Sequence, residues 1–570
     1  MPFTTLPKLI LGPWFRTLLV VPTLLFPSVL PSTSTVFCQE VLCNDNIDND
    51  TDGLIDCLDP DCFVDPDCGC LQESEHLLAP MGGVGPNWLA AVHSVAVSEE
   101  VMVTGVVNGD GATVRSGTVL TYRRDPATGT FGPDPQQIVF AADGVVNDAF
   151  GWSVAIHENL IVAGARTRRS NDEFESGAAF VFRWDPAQEV WNEEQELTAP
   201  FPEQWGHFGA DVAVSNDVVI VGAPDMGASD NGMAFIYHYA PDPNLPSDPE
   251  PWKLHQEIFE HSQWDQGDQY TDQFGSSLSI SSDVIVVGAY QFNTDFANIT
   301  GKAFVYEQNE TGDWELTANL LPQQLAWLDY FAGSVSISGD AIVIGSSNGS
   351  LYLFERDSVT GQWPSEETQK ITNDSISSFG TEVSIDGEIV VACSYWDGAV
   401  GWHSGSALLY RKDISETPGQ QWIEAERLCG STVGENYLFG NSCDISGDTV
   451  VICSTGDTNP AMAFGSSWVF DGPSGAPDPV LFIRGDANAD GSIDIGDPIL
   501  ILLYLFTGGN LLCEASADIN DDGVIDIGDP IGLLAYLFGH PATPIPPPFP
   551  DCGLDPTTDN LDCQTSPGCN

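Results

Sequence analysis

A pattern of alternating and then continuous apolar residues recurs through the middle of the chain. In "FGWSVAIHENLIVAGA", which begins at Phe150, apolar and small polar residues alternate, a polar turn follows, and the next residues are nearly all apolar. Such a pattern predicts a β-hairpin whose second strand is buried on both faces. Further copies begin at Phe208, Phe274, Phe331, Phe379 and Phe439, and an eroded copy begins at Ala91.

Each copy continues with two more predicted strands. The segment "GAAFVFR" from Gly177 predicts an apolar third strand, and "WNEEQELTAP" from Trp191 predicts a more polar fourth strand. Four antiparallel strands whose outermost member faces water describe one blade of a β-propeller. Because a repeat decides the architecture of a chain, the seven copies predict a mainly β fold: a seven-bladed propeller of four-stranded antiparallel blades over residues 71–470.

The predicted ring closes through its two ends. The seventh copy ends with "GSSWVF", at Phe470, and has no fourth strand after it. The segment "LQESEHLLAP", residues 71–80, precedes the first copy and carries the Glu, Leu and Ala-Pro positions of "EEQELTAP". We therefore expect an N-terminal strand to complete the last blade and to remove its open sheet edge.

These copies resemble FG-GAP repeats. The Phe-Gly opening and the Gly-Ala-Pro-like end are similar to the units of integrin α-subunit propellers, and more so to the bacterial variant with a "W…EQ…LTA" strand. Integrin-type blades often hold a Ca²⁺ loop between the hairpin strands. Here that place is taken by tight turns such as Ser338-Gly339-Asp340, so the propeller is expected to be metal-free.

A different pattern, acidic and then apolar, occurs twice near the C-terminus. "RGDANADGSIDIGD", residues 484–497, and a second copy place oxygen-bearing residues at loop positions 1, 3, 5, 9 and 12, with Gly at 6, which is the spacing of a Ca²⁺-binding EF-hand loop. Carboxylates about 4 Å apart repel by roughly 4 kcal/mol at an effective dielectric constant near 20, so a divalent ion is needed. The predicted ligands are Asp486, Asn488, Asp490, Ser492 (carbonyl), Asp494 and Asp497, then Asp518, Asn520, Asp522, Val524 (carbonyl), Asp526 and Asp529.

The apolar segments after Pro498 and Pro530 predict helices that start at the loops and pack against each other. Two such loop–helix units over residues 483–540 resemble a type I dockerin, an EF-hand-like module that docks onto cohesin domains. Dockerins that bind cohesin usually carry Ser/Thr-like residues at loop positions 10 and 11, where Ile495-Gly496 and Ile527-Gly528 stand here. The alternative is therefore a module that binds calcium for structural stability only and does not bind cohesin.

The N-terminal residues follow the pattern of a secretory signal. Lys8 and Arg16 precede an apolar run and small polar residues, which predicts a signal peptide over residues 1–37 and an exported protein without a transmembrane anchor after its removal. Six of the 14 cysteines lie in residues 38–70, and export favours disulfides in this short segment, with zinc as the alternative. The same segment repeats the calcium-loop spacing at Asp48, Asp50, Asp52, Asp56 and Asp59. The alternative for this third loop is a solvent-exposed acidic turn that is held in place by disulfides and binds no calcium.

Charge limits the partners. The net charge of −65 repels nucleic acid and anionic membranes. Arg166, Arg168 and Arg169 stand out in so acidic a chain. They are interpreted either as a site for an anionic glycan or, together with neighbouring carboxylates, as a screened surface network. The Arg-Gly-Asp tripeptide at 484–486 is interpreted as part of the first calcium loop, because its Asp is the first ligand there.

The nine histidines are scattered and form no HExxH motif or other recognisable catalytic arrangement, so we expect no enzyme and no cofactor besides Ca²⁺. The sequence predicts a secreted, calcium-binding protein whose propeller binds an extracellular protein or glycan, since loops on a rigid ring are a common platform for binding. Its dockerin-like module is expected to mediate assembly, with a cohesin-like protein as one partner.

Residues 471–482 are expected to be a linker and 541–570 a Pro- and Cys-containing tail. The alternative function is a component of extracellular polysaccharide degradation, either catalytic itself or tethered beside enzymes.

Overall fold

The computed structural model describes most of the residues between Cys70 and Phe549. The described residues are 70–79, 92–170, 172–227, 231–245, 248–260, 271–295, 298–324, 329–373, 376–398, 402–413, 417, 419–430, 433, 436–455, 458–459, 462–463, 465–471, 482–488, 491–507, 511, 513–521, 523–538, 545–546 and 548–549. The predicted signal peptide, the cysteine-rich segment as far as residue 69 with its calcium loop, and nearly all of the linker lie outside them.

Seven four-stranded antiparallel sheets form the blades of one ring. Their inner strands are Val92–Ser98, Phe150–His157, Val212–Ser215, Phe274–Ser281, Val335–Ser338, Glu382–Asp386 and Phe439–Ser446. Their second strands are Val101–Val106, Leu160–Ala165, Val218–Ala223, Val284–Ala289, Ala341–Ser346, Ile389–Ser394 and Thr449–Ser454. Their third strands are Thr118–Arg123, Ala178–Asp185, Met233–Tyr239, Lys302–Gln308, Ser350–Glu355, Ser406–Lys412 and Ser466–Asp471. Their outer strands are Gln137–Val139, Val190–Leu197, Trp252–Ile258, Trp314–Leu320, Gln369–Thr372, Trp422–Cys429 and, in blade seven, Glu75–Leu78.

The N-terminal strand closes the ring as the sequence predicts. Glu75–Leu78 pairs antiparallel with Ser466–Asp471, and the His76 ring stacks on Trp468 with ring centres 4.7 Å apart. One further pairing has no counterpart in the prediction: Cys70–Gln72 runs parallel to the outer strand of blade six as a fifth strand. Two short hairpins leave the blades, Asn293–Asp295 with Asn298–Ile299 and Thr458–Asn459 with Met462–Ala463.

The repeated Phe and Gly residues join one blade to the next. Gly177, just before the third strand of blade two, has a φ of +87°, which glycine adopts without strain. It forms a parallel β-bridge with Phe208, the first residue of the blade three repeat. Equivalent bridges are Gly117–Phe150, Gly232–Phe274, Gly301–Phe331 and Gly405–Phe439.

A second repeated glycine permits close packing between blades. A Cβ on Gly222, in the second strand of blade three, would lie 2.0 Å from the carbonyl oxygen of Gly275 in blade four. A Cβ would come similarly close to a backbone carbonyl oxygen of the next blade at four other glycines: Gly105, Gly164, Gly288 and Gly345. The apolar cores accordingly lie between blades: one cluster combines Leu160 and Val162 of blade two with Val219, Val221 and Trp252 of blade three.

The repeated Gln of the outer strand also connects neighbouring blades. The Gln195 side chain accepts a hydrogen bond from the Trp252 backbone N–H at 2.7 Å and donates one to the Trp252 carbonyl at 2.9 Å. Gln256 makes the same pair of bonds with Trp314, as do Gln137 with Trp191 and Gln369 with Trp422. The "W…EQ" spacing therefore reflects a contact between successive blades.

Serine side chains protect the inner sheet edges. Each inner strand ends its sheet and would leave backbone N–H groups without partners. Ser336 Oγ accepts the N–H of Ile385 at 3.2 Å, and Ser338 Oγ accepts that of Gly387 at 3.0 Å, both in the next blade. Ser442 does the same for Val95 at 3.2 Å across the closing interface. The serine-rich "SVSIS" pattern thus satisfies hydrogen bonds between blades.

The C-terminal region is helical. It contains α1 (Gly496–Thr507), α2 (Glu514–Ala517) and α3 (Gly528–Leu537). Helices α1 and α3 contact each other as the sequence predicts, around a core with Ile501 and Leu533. Residues of the predicted tail pack here: Ile545 joins this core, and the Phe549 ring lies 5.3 Å from Tyr536. No helix in the described part of the chain is long and apolar enough to span a bilayer.

Candidate functional site

The loops of the propeller divide between two faces. Phe150 at the start of an inner strand pairs with Ala165 at the end of the second strand, which pairs with Ala178 at the start of the third. The long loop from second to third strand and the loop that enters the next blade therefore lie at this end of every blade. We call it the upper face. The opposite, lower face carries the two-residue hairpin turns.

A channel runs along the ring axis. It forms a cavity of about 380 Å³ lined by inner-strand residues of all seven blades, a volume within the usual range of small-molecule sites. Most lining side chains are small, and serines predominate. Three are acidic and partly exposed to the cavity: Asp211, Glu382 and Asp444.

Burial controls the ionisation of these channel acids. Burial raises the pKa of Asp211 to about 6, against hydrogen bonds from Ser153 and Leu278. Burial and the Asp211 charge raise the pKa of Glu382 to about 8. The pKa of Asp444 is raised by burial to about 6, although it accepts hydrogen bonds from Val97 N–H and Ser384 Oγ. At pH 7 Glu382 is therefore mostly protonated, whereas Asp211 and Asp444 are mostly ionised.

Aromatic and cationic side chains gather at the upper mouth of the channel. Trp152 follows the Phe-Gly pair of blade two, and its ring centre lies 3.9 Å from that of His93 in blade one. The guanidinium carbon of Arg166 lies 4.3 Å from the Trp152 ring centre, a cation–π distance. Its Nε is buried and has no hydrogen-bond partner within the described part of the chain. Burial lowers the pKa of His93 to about 4, so this ring is neutral at pH 7.

Asp225 supplies the acceptor beside this cation. His207 Nδ1 lies 2.6 Å from one Asp225 oxygen, and Gln273 Nε2 donates to the other at 2.6 Å. Burial alone would raise the pKa of Asp225, but hydrogen bonds from His207 and Gln273 outweigh it and lower the pKa. Asp225 is therefore ionised at neutral pH. We refer to Trp152, Arg166, His207, Asp225 and Gln273 as the mouth cluster.

Further aromatic rings are exposed on upper-face loops. Between blades two and three, the Trp205 ring lies 4.9 Å edge-on to Phe174. In blade six, Trp396 and Trp402 flank His403 at 4.4 and 4.2 Å, and Trp402 is 68% exposed. Aromatic rings that keep one face in solvent beside planar polar groups suit the recognition of sugars or peptides.

The three arginines of the sequence prediction have separate roles. Arg168 is buried and forms ion pairs with Asp143, Asp148 and Glu196 at 2.7 to 2.9 Å. Arg169 is exposed and lies over the Phe174 ring at 5.5 Å. Only Arg166 belongs to the mouth cluster. Arg168 therefore belongs to a buried ion-paired network with carboxylates distant in sequence, which differs from the predicted surface network with the carboxylates that directly follow the arginines.

The two C-terminal loops have the same internal geometry. Asp486 and Asp518, at position 1, accept the N–H of the position 6 glycines, Gly491 and Gly523, at 2.8 Å. Both glycines have positive φ, +81° and +76°, as the sharp turn requires. The position 12 carboxylates, Asp497 and Asp529, accept the N–H of position 9, Asp494 and Asp526, at 2.8 and 2.7 Å.

The burial of these carboxylates fits a bound cation. Asp486, Asp497, Asp518 and Asp529 are all fully buried, and burial together with the Asp518 charge raises the pKa of Asp529. Buried carboxylates of like charge need a compensating positive charge, and their oxygens are the ligands that Ca²⁺ prefers. The other predicted ligands, Asn488, Ser492, Asp494, Asn520, Val524 and Asp526, lie at the surface or partly exposed in the same loops.

The remaining predicted ligands lie outside the described residues: Asp490, Asp522, Asp48, Asp50, Asp52, Asp56 and Asp59. Among the residues that are described, no group of three or more His, Cys, Asp or Glu side chains is placed closely enough to hold a metal ion. Calcium therefore stays a prediction, supported by the loop geometry at positions 1, 6 and 12.

Arg484 connects the two loops. Its side chain is fully buried, donates to the backbone oxygens of Ala515 and Asp518 at 3.2 and 2.7 Å, and forms an ion pair with Asp521 at 2.8 Å. The Arg-Gly-Asp tripeptide therefore has neither charged side chain exposed.

Helices α1 and α3 expose equivalent apolar stripes. Ile495, Ile499 and Phe506 are about half or more exposed on the first unit. Ile527, Ile531 and Phe538, each 32 positions later, are exposed on the second. Exposed apolar faces of this kind are a common feature of docking surfaces.

The sequence did not indicate the mouth cluster. Its members come from an inner strand, two long loops and two connections between blades, so no local spacing joins them. One signal was present: Trp152 stands at a repeat position where other copies carry small residues such as Ala210, Ser276 and Gly333.

Comparison with known proteins agrees with this architecture. Residues 134–182, 191–237 and 267–306 match the FG-GAP repeat family model, and each match covers inner, second and third strands of a blade in whole or in large part. No curated protein matches the chain. The chain thus carries FG-GAP repeats within a seven-bladed propeller, a fold typical of ligand-binding or protein-interaction modules.

Proposed function

We propose that this protein is a secreted recognition protein whose propeller binds an extracellular glycan at the upper mouth of its channel. The observation that carries this proposal is the mouth cluster. Trp152 is partly exposed at the channel and carries Arg166 over its ring, Arg166 Nε has no hydrogen-bond partner among the described residues, and Asp225 nearby is an ionised acceptor. Ligand sites combine these features.

The charge of the site favours a neutral or weakly charged glycan. Arg166 lies near Asp225 and Glu175, so its charge is largely balanced, and the protein as a whole carries −65. An anionic ligand would meet long-range repulsion. Hydroxyl pairs of a sugar can bond to the guanidinium and to the carboxylate at once.

A glycan array tests this proposal. The full chain should bind a subset of neutral oligosaccharides, and Trp152→Ala should lose at least tenfold in affinity. The matched control is Arg356→Ala, since Arg356 lies 5.5 Å over the Trp363 ring but at the lower end of blade five. Binding only to arrayed extracellular proteins would replace the glycan by a protein ligand. Release of shortened sugars would favour the alternative, a part in polysaccharide degradation.

We also propose that the C-terminal helical region is a calcium-dependent, dockerin-like module for assembly or anchoring. The proposal is supported by the two loops with buried position 1 and 12 carboxylates and by the matching stripes of α1 and α3. Bound Ca²⁺ would neutralise the loop carboxylates, which in turn fix the starts of the two helices.

A cohesin domain is the probe for the assembly role. In Ca²⁺, the full chain should bind an immobilised recombinant cohesin, and the double variant Ile499→Ser and Ile531→Ser should not. The control is Val359→Ser, which removes an apolar side chain that is 91% exposed on a propeller loop. Absence of binding by the unmodified chain, with Ca²⁺ bound, would favour the purely structural role of the module.

A further inference from the structure

Two cysteines occupy a pair of contacting positions between blades six and seven. In five blades the second strand carries glycine at one repeat position, and blade six carries Cys393 there. The residue that packs against this position comes from the next inner strand. Leu278 Cδ1, for example, lies 3.3 Å from the Cβ position of Gly222. In blade seven that residue is Cys443, where the other inner strands carry Val or Leu.

The two cysteines are neighbours. Cys443 packs against the apolar cluster between the two blades that contains Cys393, and the nearby Cys393 thiol contributes to the raised pKa of Cys443. Both cysteines are free. The third free cysteine of the propeller's described residues, Cys453, packs instead with Val92 and Val95 in the interface with blade one.

One cysteine of the pair faces the channel. Cys443 is partly exposed and lines the channel cavity, whereas Cys393 is fully buried behind it. Cys429 and Cys513 are disulfide-bonded, so the chain already holds oxidised cysteines. A small disulfide that enters the channel would therefore meet Cys443 first.

We propose that Cys393 and Cys443 form an inter-blade disulfide that locks blade six to blade seven, the blade that closes the ring. Glutathione disulfide or a similar small disulfide is the oxidant. Cys443 gives up its proton, and its sulfur attacks one glutathione sulfur, which releases the first glutathione as a thiol. Cys393 then gives up its proton and attacks the Cys443 sulfur, which releases the second glutathione. The protein loses two electrons and two protons, and glutathione disulfide gains both.

Peptide mapping of the full chain tests the proposal. The protein is incubated with or without glutathione disulfide, unfolded with iodoacetamide in the absence of reductant, and digested. After oxidation, the Cys393 and Cys443 peptides should appear joined, and Cys453 should carry the alkyl label. Alkylation of both Cys393 and Cys443 after oxidation, or a bond from either to Cys453, would overturn the proposal.

Variants provide a second readout. Cys393→Gly and Cys443→Val each introduce the residue that other blades carry at that position, and Cys453→Gly is the matched control. Glutathione disulfide should raise the Tm of the unmodified chain and of Cys453→Gly, and should leave the Tm of the other two unchanged. An equal rise in Cys443→Val would assign the stabilisation to another pair.

Discussion

At the scale of single residues, the channel acids depart most from the repeat pattern. Glu382 stands at an inner-strand position where five copies carry serine and one carries Asp211. Ser334 and Ser442, at the same position in neighbouring blades, accept N–H groups of the next strand. A carboxyl at that place is partly removed from solvent, and its proton affinity becomes part of the stability of the ring.

Replacing Glu382 by Gln should make the protein less sensitive to alkaline pH. The pKa of Glu382 is about 8 in the folded protein and about 4.3 when unfolded. Between these values the folded state holds a proton that the unfolded state has lost, so stability falls as pH rises through this window. Calorimetry should find a higher Tm for Glu382→Gln than for the unmodified chain at pH 8.

At pH 4.5 the Glu382→Gln variant and the unmodified chain should have the same Tm. Glu388→Gln, in an exposed turn of the same blade, controls for loss of surface charge. A Tm difference that is constant from pH 4.5 to 8 would contradict the raised pKa of Glu382.

The repeat glycine of the second strand offers a steric test. Gly222→Ala places a Cβ 2.0 Å from the Gly275 carbonyl oxygen, so blades three and four must separate. We expect a loss of about 1–3 kcal/mol or more. Gly339→Ala is the control, since its Cβ meets nothing within 4 Å and only the φ of +53° opposes it, at about 1 kcal/mol. Equal Tm values for the two variants would contradict the close packing of blades.

Residue-level roles were only partly visible in the sequence. The pattern predicted which residues are apolar and where hairpins turn, because both follow from local periodicity. It did not reveal why serine or glutamine recurs, since Ser336 and Gln195 act on backbone groups of a different blade. Arg168 and Arg484 look like surface charges in an acidic chain, yet both are buried by residues distant in sequence.

At the scale of elements, the C-terminal helices depend on the loops that precede them. Each helix begins within the last loop positions, at Gly496 and Gly528, and its position 12 aspartate is held by the loop backbone. The helix starts and their mutual packing were predictable, because acidic spacing and apolar segments are local patterns. The connection through Arg484 was not, because it joins the start of one unit to the loop of the other.

Removal of calcium should destabilise this module and leave the propeller unchanged. EDTA leaves the buried carboxylates without compensating charge, so a calorimetric transition of the C-terminal module should move to lower temperature and return on addition of Ca²⁺. The propeller transition should not move. Asp529→Asn should lower the Ca²⁺ effect, while Asp313→Asn, on an exposed propeller turn, should retain it. Melting that is identical with EDTA and with Ca²⁺ would remove calcium from the account.

At the scale of the whole molecule, stability depends on ring closure by a strand from the other end of the propeller. Leu77 is 3% exposed in the core between blades seven and one, and its neighbour Leu78 is 50% exposed. Glu75 adds hydrogen bonds to the N–H groups of Phe131 and Gly132 in blade one. The seven copies and the unpaired seventh blade allowed this closure to be predicted by counting strands.

Leu77→Asp should open the ring. A buried, unpaired carboxylate is costly, so the closing strand should detach and expose the third strand of blade seven. We expect a lower Tm and faster proteolysis near residue 79. Leu78→Asp is the matched control and should change neither. Similar behaviour of the two variants would argue that the strand contributes little to closure.

The mouth cluster on the upper face is the proposed recognition site of the protein. The most direct measurement is the equilibrium Kd of the full chain, and of its Trp152→Ala and Arg356→Ala variants, for a glycan that the unmodified chain selects on the array. If the ligand binds at the mouth cluster, Trp152→Ala should have at least a tenfold higher Kd, the loss expected when a central aromatic contact is removed, and Arg356→Ala should have an unchanged Kd. Equal affinities for all three proteins, or a loss confined to Arg356→Ala, would contradict it.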